Sequence, residues 1–152
     1  MHNPDRASHT LTGFPAAASA FVSALEGNRR RIAEDAGLTG TELRALFRVA
    51  QAVSITPKDL AAHLGLTTGA VTAIARRLVD AGFVTRTDHP GDRRSLYLEL
   101  TPEGHTVMGQ IHHDFTEMLS ASTSSLSADQ LTDFTAALTS VAAEVRTRSE
   151  RP

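Results

Sequence analysis

The sequence predicts a mostly α-helical chain with one small β-hairpin, an α+β protein, and three observations carry that reading. Apolar residues recur at helical spacing along six segments. The period switches to two only around a turn-rich stretch from Asp88 to Arg94. Cap residues and glycines stand at the borders of the periodic segments, where backbone groups need partners or a change of hand.

The first helix is expected from Phe14 to Ala36, with Phe21, Leu25, Asn28 and Ile32 on one stripe and Gly37 as its stop. Thr39 and Glu42 form a capping-box pair for a second helix, which carries Leu43, Leu46, Phe47 and Ala50 inward and Arg44 and Arg48 outward. Thr56-Pro57-Lys58-Asp59 opens a third, with proline at the first helical position and Asp59 closing the box; Leu60, Ala61 and Leu64 follow, and Gly65 ends it. Gly65 and Leu66 alone separate it from a new cap at Thr67. The fourth helix, about Thr68 to Ala81, turns Val71, Ile74, Ala75 and Leu78 inward and stops at Gly82. Two helices joined by so tight a glycine turn make a helix-turn-helix.

Phe83 to Thr87 and Ser95 to Leu100 alternate in polarity and read as strands flanking a charged hairpin tip. Thr101-Pro102-Glu103 caps a fifth helix with Val107, Met108, Ile111, Phe115, Met118 and Leu119 apolar. After a Ser/Thr-rich break at residues 120–125, Ser127 and Gln130 open a sixth. Its Leu131, Phe134, Leu138, Val141 and Val145 step by three and four, a heptad seam. Residues 1–13 are expected to be a flexible leader, 14–147 a single domain with its core at about 39–101 and flanking helices at about 14–36 and 102–147, and 148–152 a frayed tail.

Bulk composition narrows the function classes. The 152 residues are 41% apolar and 21% charged, with aromatics at 5% and no Trp, so Leu, Val, Ile and Ala build the core. No apolar run approaches the ~20 residues of a membrane span, and the N-terminal residues lack the apolar core of a signal peptide; a cytoplasmic protein is expected. Without cysteine there are no disulfides, thiolate nucleophiles or cysteine-based redox sensing. No nucleophile elbow, phosphate loop or dinucleotide fingerprint appears, so the chain does not read as an enzyme, and no cofactor is implied. The net charge of −2 is unevenly spread: residues 56–94 hold six basic groups against four acids, whereas 95–152 hold three against eight. A mildly basic middle suits a local anionic partner.

The segment TPKDLAAHLGLTTGAVTAIARRLVDAGFVTRTDHPGDRRSLYLELTPEG, Thr56 to Gly104, carries a resemblance that extends from Phe21 to Val145. Its parts are Asp59-Leu60-Ala61 with Leu64-Gly65-Leu66, Val71-Thr72 with Leu78, Gly82-Phe83-Val84, and above all Asp92-Arg93-Arg94 with, six positions on, Leu100-Thr101-Pro102-Glu103-Gly104. In these the chain resembles the MarR family of winged helix-turn-helix regulators. The resemblance implies a dimeric, sequence-specific regulator, most often a repressor, on the double-stranded DNA of a pseudo-palindromic operator. It also implies N- and C-terminal helices paired across a two-fold axis, and a small lipophilic or phenolic effector.

The residues themselves suggest how DNA would be met. The outer face of the fourth helix presents Thr67, Thr68, Gly69, Thr72, Ala73, Arg76 and Arg77, small side chains first and charge later, which lets the helix N-terminus enter a major groove. Arg86, Asp92, Arg93 and Arg94 are the wing candidates, three arginines and one carboxylate; an arginine at a hairpin tip suits a narrow minor groove. By the family pattern Arg94 enters that groove, Asp92 orients it and Arg93 meets a phosphate, although the residues alone leave the two arginines exchangeable. Ala73 departs from the family, which often has a basic residue there, so a bidentate guanine contact from this position is excluded. Phe21 and Leu25 on the first helix, with Leu131, Phe134, Leu138, Val141 and Val145 on the last, are the dimerisation candidates; covering the monomer's own core is the competing explanation. His112 and His113 are weak effector-contact candidates. His105 and His112 stand about 10 Å apart, too far to share one ion, so no metal site is assigned. The competing readings are a winged-helix protein-interaction module and a zinc-responsive regulator.

Overall fold

The helix borders are made by short-range chemistry, and the computed structural model, which describes residues 10–92 and 95–149, shows each bond. Helix α1 spans Gly13–Asp35 and α2 Gly40–Ala52. At the start of α2 the Thr39 hydroxyl accepts the Glu42 N–H at 3.2 Å while Glu42 Oε2 accepts the Thr39 N–H at 2.7 Å, the reciprocal box expected from the sequence. Helix α3 spans Pro57–Leu64 and α4 Thr68–Asp80. Thr56 accepts the Asp59 N–H, but Asp59 does not return to the backbone: its Oδ2 accepts the Thr56 hydroxyl instead, at 2.7 Å. Aspartate is one methylene shorter than glutamate, so its carboxylate meets the hydroxyl first.

Between α3 and α4 the chain must reverse within two residues. Gly65 does this at φ +66, with the Leu66 N–H on the Ala61 carbonyl and the Gly65 N–H on that of Ala62, a Schellman closure. Gly82 repeats the device after α4 at φ +79, where the Phe83 N–H reaches the Leu78 carbonyl at 3.1 Å.

The strands are β1, Ser54–Ile55; β2, Val84–Asp88; and β3, Leu96–Leu100. They form one antiparallel sheet in the order β1-β3-β2, with Val84 opposite Leu100, Arg86 opposite Leu98 and Ser54 opposite Glu99. The hairpin matches the expected pair of strands within a residue at each end. Strand β1 was not foreseen, because two residues carry no period. It is held by backbone pairing and by the Ser54 hydroxyl, which donates to Glu99 Oε1.

The described residues fall into two units that divide within α5 (Pro102–Ser122), one through Met108 and one from Gly109. In the first, Leu43, Leu46 and Val49 of α2, Leu60 of α3, Val71 and Leu78 of α4, Val84 and Leu98 are all but fully buried. Ile74, expected inward, is only half-buried, and Arg48, expected outward, is half-buried with its Nε enclosed and unpartnered among the described residues. In the second unit, α5 runs through part of the expected break to Ser122. Ser122 returns its hydroxyl to the Met118 carbonyl four residues earlier, so this side chain serves the helix rather than interrupting it. Ser127 and Gln130 make the expected box for α6, Ala128–Ser149. That helix holds Arg148 and Ser149 of the expected frayed tail; residues 150–152 and most of the expected leader lie outside the described residues. No helix among the described residues is long and apolar enough to cross a membrane.

Val53, between α2 and β1, sits at φ +65, ψ −55, where a β-branched residue is strained, and is 76% exposed. The strain persists because Ile55 must enter the core two residues later. Val53→Gly relieves it with little packing to lose, so unfolding in urea should show a gain of about 1 kcal/mol despite the greater freedom of glycine in the unfolded chain.

Candidate nucleic-acid interface

Thr67 ends the turn in extended conformation and accepts the Ala70 N–H at 3.2 Å, and Val71 bonds back to the Thr67 carbonyl. The N–H groups of Thr68 and Gly69 then have no acceptor within the helix and stand at its positive end, on exposed residues. Thr67, Thr68, Gly69, Thr72, Ala73, Arg76 and Arg77 are all exposed, so the expected recognition face is brought together.

Its polar groups are less free than the sequence suggested. The Thr72 hydroxyl donates to the Thr68 carbonyl at 2.8 Å. Toward a base it is left as an acceptor with a methyl group. Thr67 is occupied as a cap. Arg76 lies opposite the Val71–Leu78 stripe, with its Nε 3.9 Å from Asp80 Oδ2; both side chains are largely exposed, a pairing worth about 0–1 kcal/mol that a phosphate or guanine can displace. Arg77 lies on the flank of the face, and its Nε stands 2.7 Å from Glu42 Oε1 in an ion pair. Glu42 is the feature that sequence reading underused: it was visible as a cap partner, but its burial and its reach to α4 are tertiary facts.

At the wing, Arg86 is exposed on the edge strand β2. The tip is folded by bonds from Asp92 N–H to the His89 carbonyl at 3.3 Å and from Ser95 N–H to the Asp92 carbonyl at 3.0 Å. His89, which sequence reading passed over, accepts the Gly91 N–H through Nδ1 and lays its ring 4.4 Å from that of Tyr97, tilted by 30°. Its place beside proline and glycine, across from an aromatic on the returning strand, was the available signal. Asp92 is exposed; Arg93 and Arg94 lie outside the described residues.

The other candidates are on the flanking helices. Phe21 is exposed and Leu25 half-buried on α1, while Leu131, Phe134, Leu138, Val141 and Val145 are all exposed on α6, which buries no residue. His112 and His113 are exposed on α5, and among the described residues no three His, Asp or Glu side chains gather as a metal site would require.

A glycine-turned helix pair followed by an antiparallel hairpin that closes a three-stranded sheet defines a winged helix-turn-helix protein. A model of the MarR family matches residues 38–96. The transcriptional repressor MprA of Escherichia coli is 31% identical over 123 residues, covering 78% of this chain and 70% of MprA. The multiple antibiotic resistance protein MarR of Salmonella typhimurium is 33% identical over 75 residues, 49% of this chain and 52% of that protein, so the match spans about half the length of that relative. A crystal structure of a mutant of E. coli MarR complexed with operator DNA superimposes with a TM-score of 0.55 at 26% identity, covering 81% of this chain and 91% of the other. The chain belongs to the MarR family.

Proposed function

We propose that this chain is a sequence-specific DNA-binding transcription regulator, a homodimeric repressor whose operator occupancy is modulated by a small lipophilic or phenolic effector. The observation that carries the DNA reading is the N-terminal face of α4: exposed small side chains and two open backbone N–H groups, with a wing beside it. Such an end is suited to a major groove and its phosphates. The E. coli relative complexed with operator DNA supports the DNA-binding reading. A two-fold dimer would set two α4 helices about 34 Å apart, on successive major grooves of a near-palindrome. The partner being chromosomal DNA, the protein would work in the cytoplasm.

The effector would act by favouring one spacing of the two recognition helices over another. Cysteine oxidation is not available as a switch.

The decisive measurement is recovery and sequencing of genomic fragments retained by the protein at ~100 mM salt. Enrichment of a shared near-palindrome is expected; retention without sequence preference would sink the regulator reading. Arg94→Ala should then weaken binding to the recovered site roughly tenfold or more while leaving the dimer intact. Unchanged affinity would remove Arg94 from the interface.

A further inference from the structure

We propose that Glu42 is a positioning residue for DNA contact, holding the guanidinium of Arg77 so that it meets a backbone phosphate at the edge of the major groove. The inference rests on the DNA-binding reading above and adds a residue on α2, outside the helix-turn-helix, to its machinery.

Glu42 is 3% exposed, the one charged residue among the buried side chains described. A carboxylate that far from water needs fixed donors. Its partners come from two helices at once: Oε2 takes the Thr39 N–H at 2.7 Å, and Oε1 lies 2.7 Å from Arg77 Nε in an ion pair. Capping alone accounts for only one of these oxygens, and it would be served as well by an exposed glutamate or by glutamine. The second oxygen is spent on orienting an arginine of α4.

That orientation has a direction. The ion pair meets the guanidinium at its Nε edge, so the N–H groups of the two Nη atoms can serve a second partner. They belong to a side chain that is 63% exposed. Without Glu42 an exposed arginine samples many rotamers and loses that freedom on binding DNA; with it, the ordering is done beforehand.

The contact class follows from position. Arg77 is nine residues beyond Thr68, about 13 Å along the helix axis, and the major groove is about 12 Å wide. A helix that enters N-terminus first therefore brings Arg77 to the groove wall, where the phosphates are. At about 100° per residue Arg77 is also rotated well away from Gly69 and Arg76, onto the flank of the exposed face. It should strengthen binding to any sequence rather than choose one.

The test uses the full chain and a fragment that the wild type selects. Glu42→Gln keeps an oxygen for the Thr39 N–H but turns an amide N–H₂ toward Arg77, a donor against a donor. It should melt close to the wild type and bind about fivefold more weakly, on selected and unrelated DNA alike. Arg77→Ala should lose about tenfold and lower the salt slope of log K by about one. The double variant should be no weaker than Arg77→Ala alone. Wild-type affinity in Glu42→Gln, or losses that multiply in the double variant, would overturn the proposal. Should Glu42→Gln melt far below the wild type, Arg77→Lys decides: it keeps the charge but not the planar guanidinium that pairs with Glu42 at one edge, and affinity equal to wild type overturns the positioning role. Failure of the wild type to select any fragment is a different result, and it refutes the regulator reading itself.

Discussion

Gly104→Ala is expected to be the most damaging single-methyl change in the helix-turn-helix unit, costing roughly 3 kcal/mol or more and lowering the melting temperature by roughly 10 °C. A Cβ at this buried position would lie 2.1 Å from the Phe83 carbonyl oxygen and 3.0 Å from its carbon. Those are backbone atoms, so no side chain can rotate aside. The same carbonyl accepts the Thr101 N–H at 3.0 Å, and Thr101 Oγ1 in turn donates to the Gly82 carbonyl at 2.6 Å and accepts the Gly104 N–H at 3.0 Å. An added methyl must push the first turn of α5 away from the residues that lead into β2, breaking this set of bonds together. Thermal denaturation followed by circular dichroism reads the effect. A melting temperature within a degree or two of wild type would mean that the α5–β2 approach is looser than the structure places it. The Leu-Thr-x-x-Gly sequence that served as a family signature is thus a joint: the threonine ties the wing's base to a helix, and the glycine lets them touch.

The second large effect concerns assembly. Leu138→Asp, at the middle of the α6 stripe, is expected to yield a folded monomer and to weaken binding to the recovered site by roughly two to three orders of magnitude. Leu131, Phe134, Leu138, Val141 and Val145 are between 39% and 57% exposed, on a helix with no buried residue. A heptad stripe left this open is suited to pairing with a second copy, as the proposed dimer requires. An aspartate there would be buried unpaired in both copies of a dimer, which opposes association far more than it opposes the helix of a monomer. Losing the second recognition helix removes the avidity of a two-site ligand, commonly 10²–10⁴-fold. Light scattering gives the mass and circular dichroism the helix content. A variant that stays dimeric would move the interface elsewhere, and one that unfolds would show that the stripe covers the monomer's own core.

What the sequence by itself determined was what neighbours in the chain decide. The caps at Thr39, Thr67 and Ser127, the glycine reversals at Gly65 and Gly82 and the burial of Val71 and Leu78 all depend on residues within about five positions of one another, and hydrogen-bond geometry and helical period make such pairs legible. The exposed face of α4 was legible for the same reason, being the complement of its buried stripe. Only the tertiary structure decided the rest. Strand β1 exists because Ser54 meets Glu99 forty-five positions away. Gly104 matters through an oxygen twenty-one residues earlier. Arg77 looked like one more basic residue of a recognition helix until α2 brought a buried carboxylate against it. In each case the deciding atom is supplied by another element, and no local pattern encodes which element will pack there or at what distance.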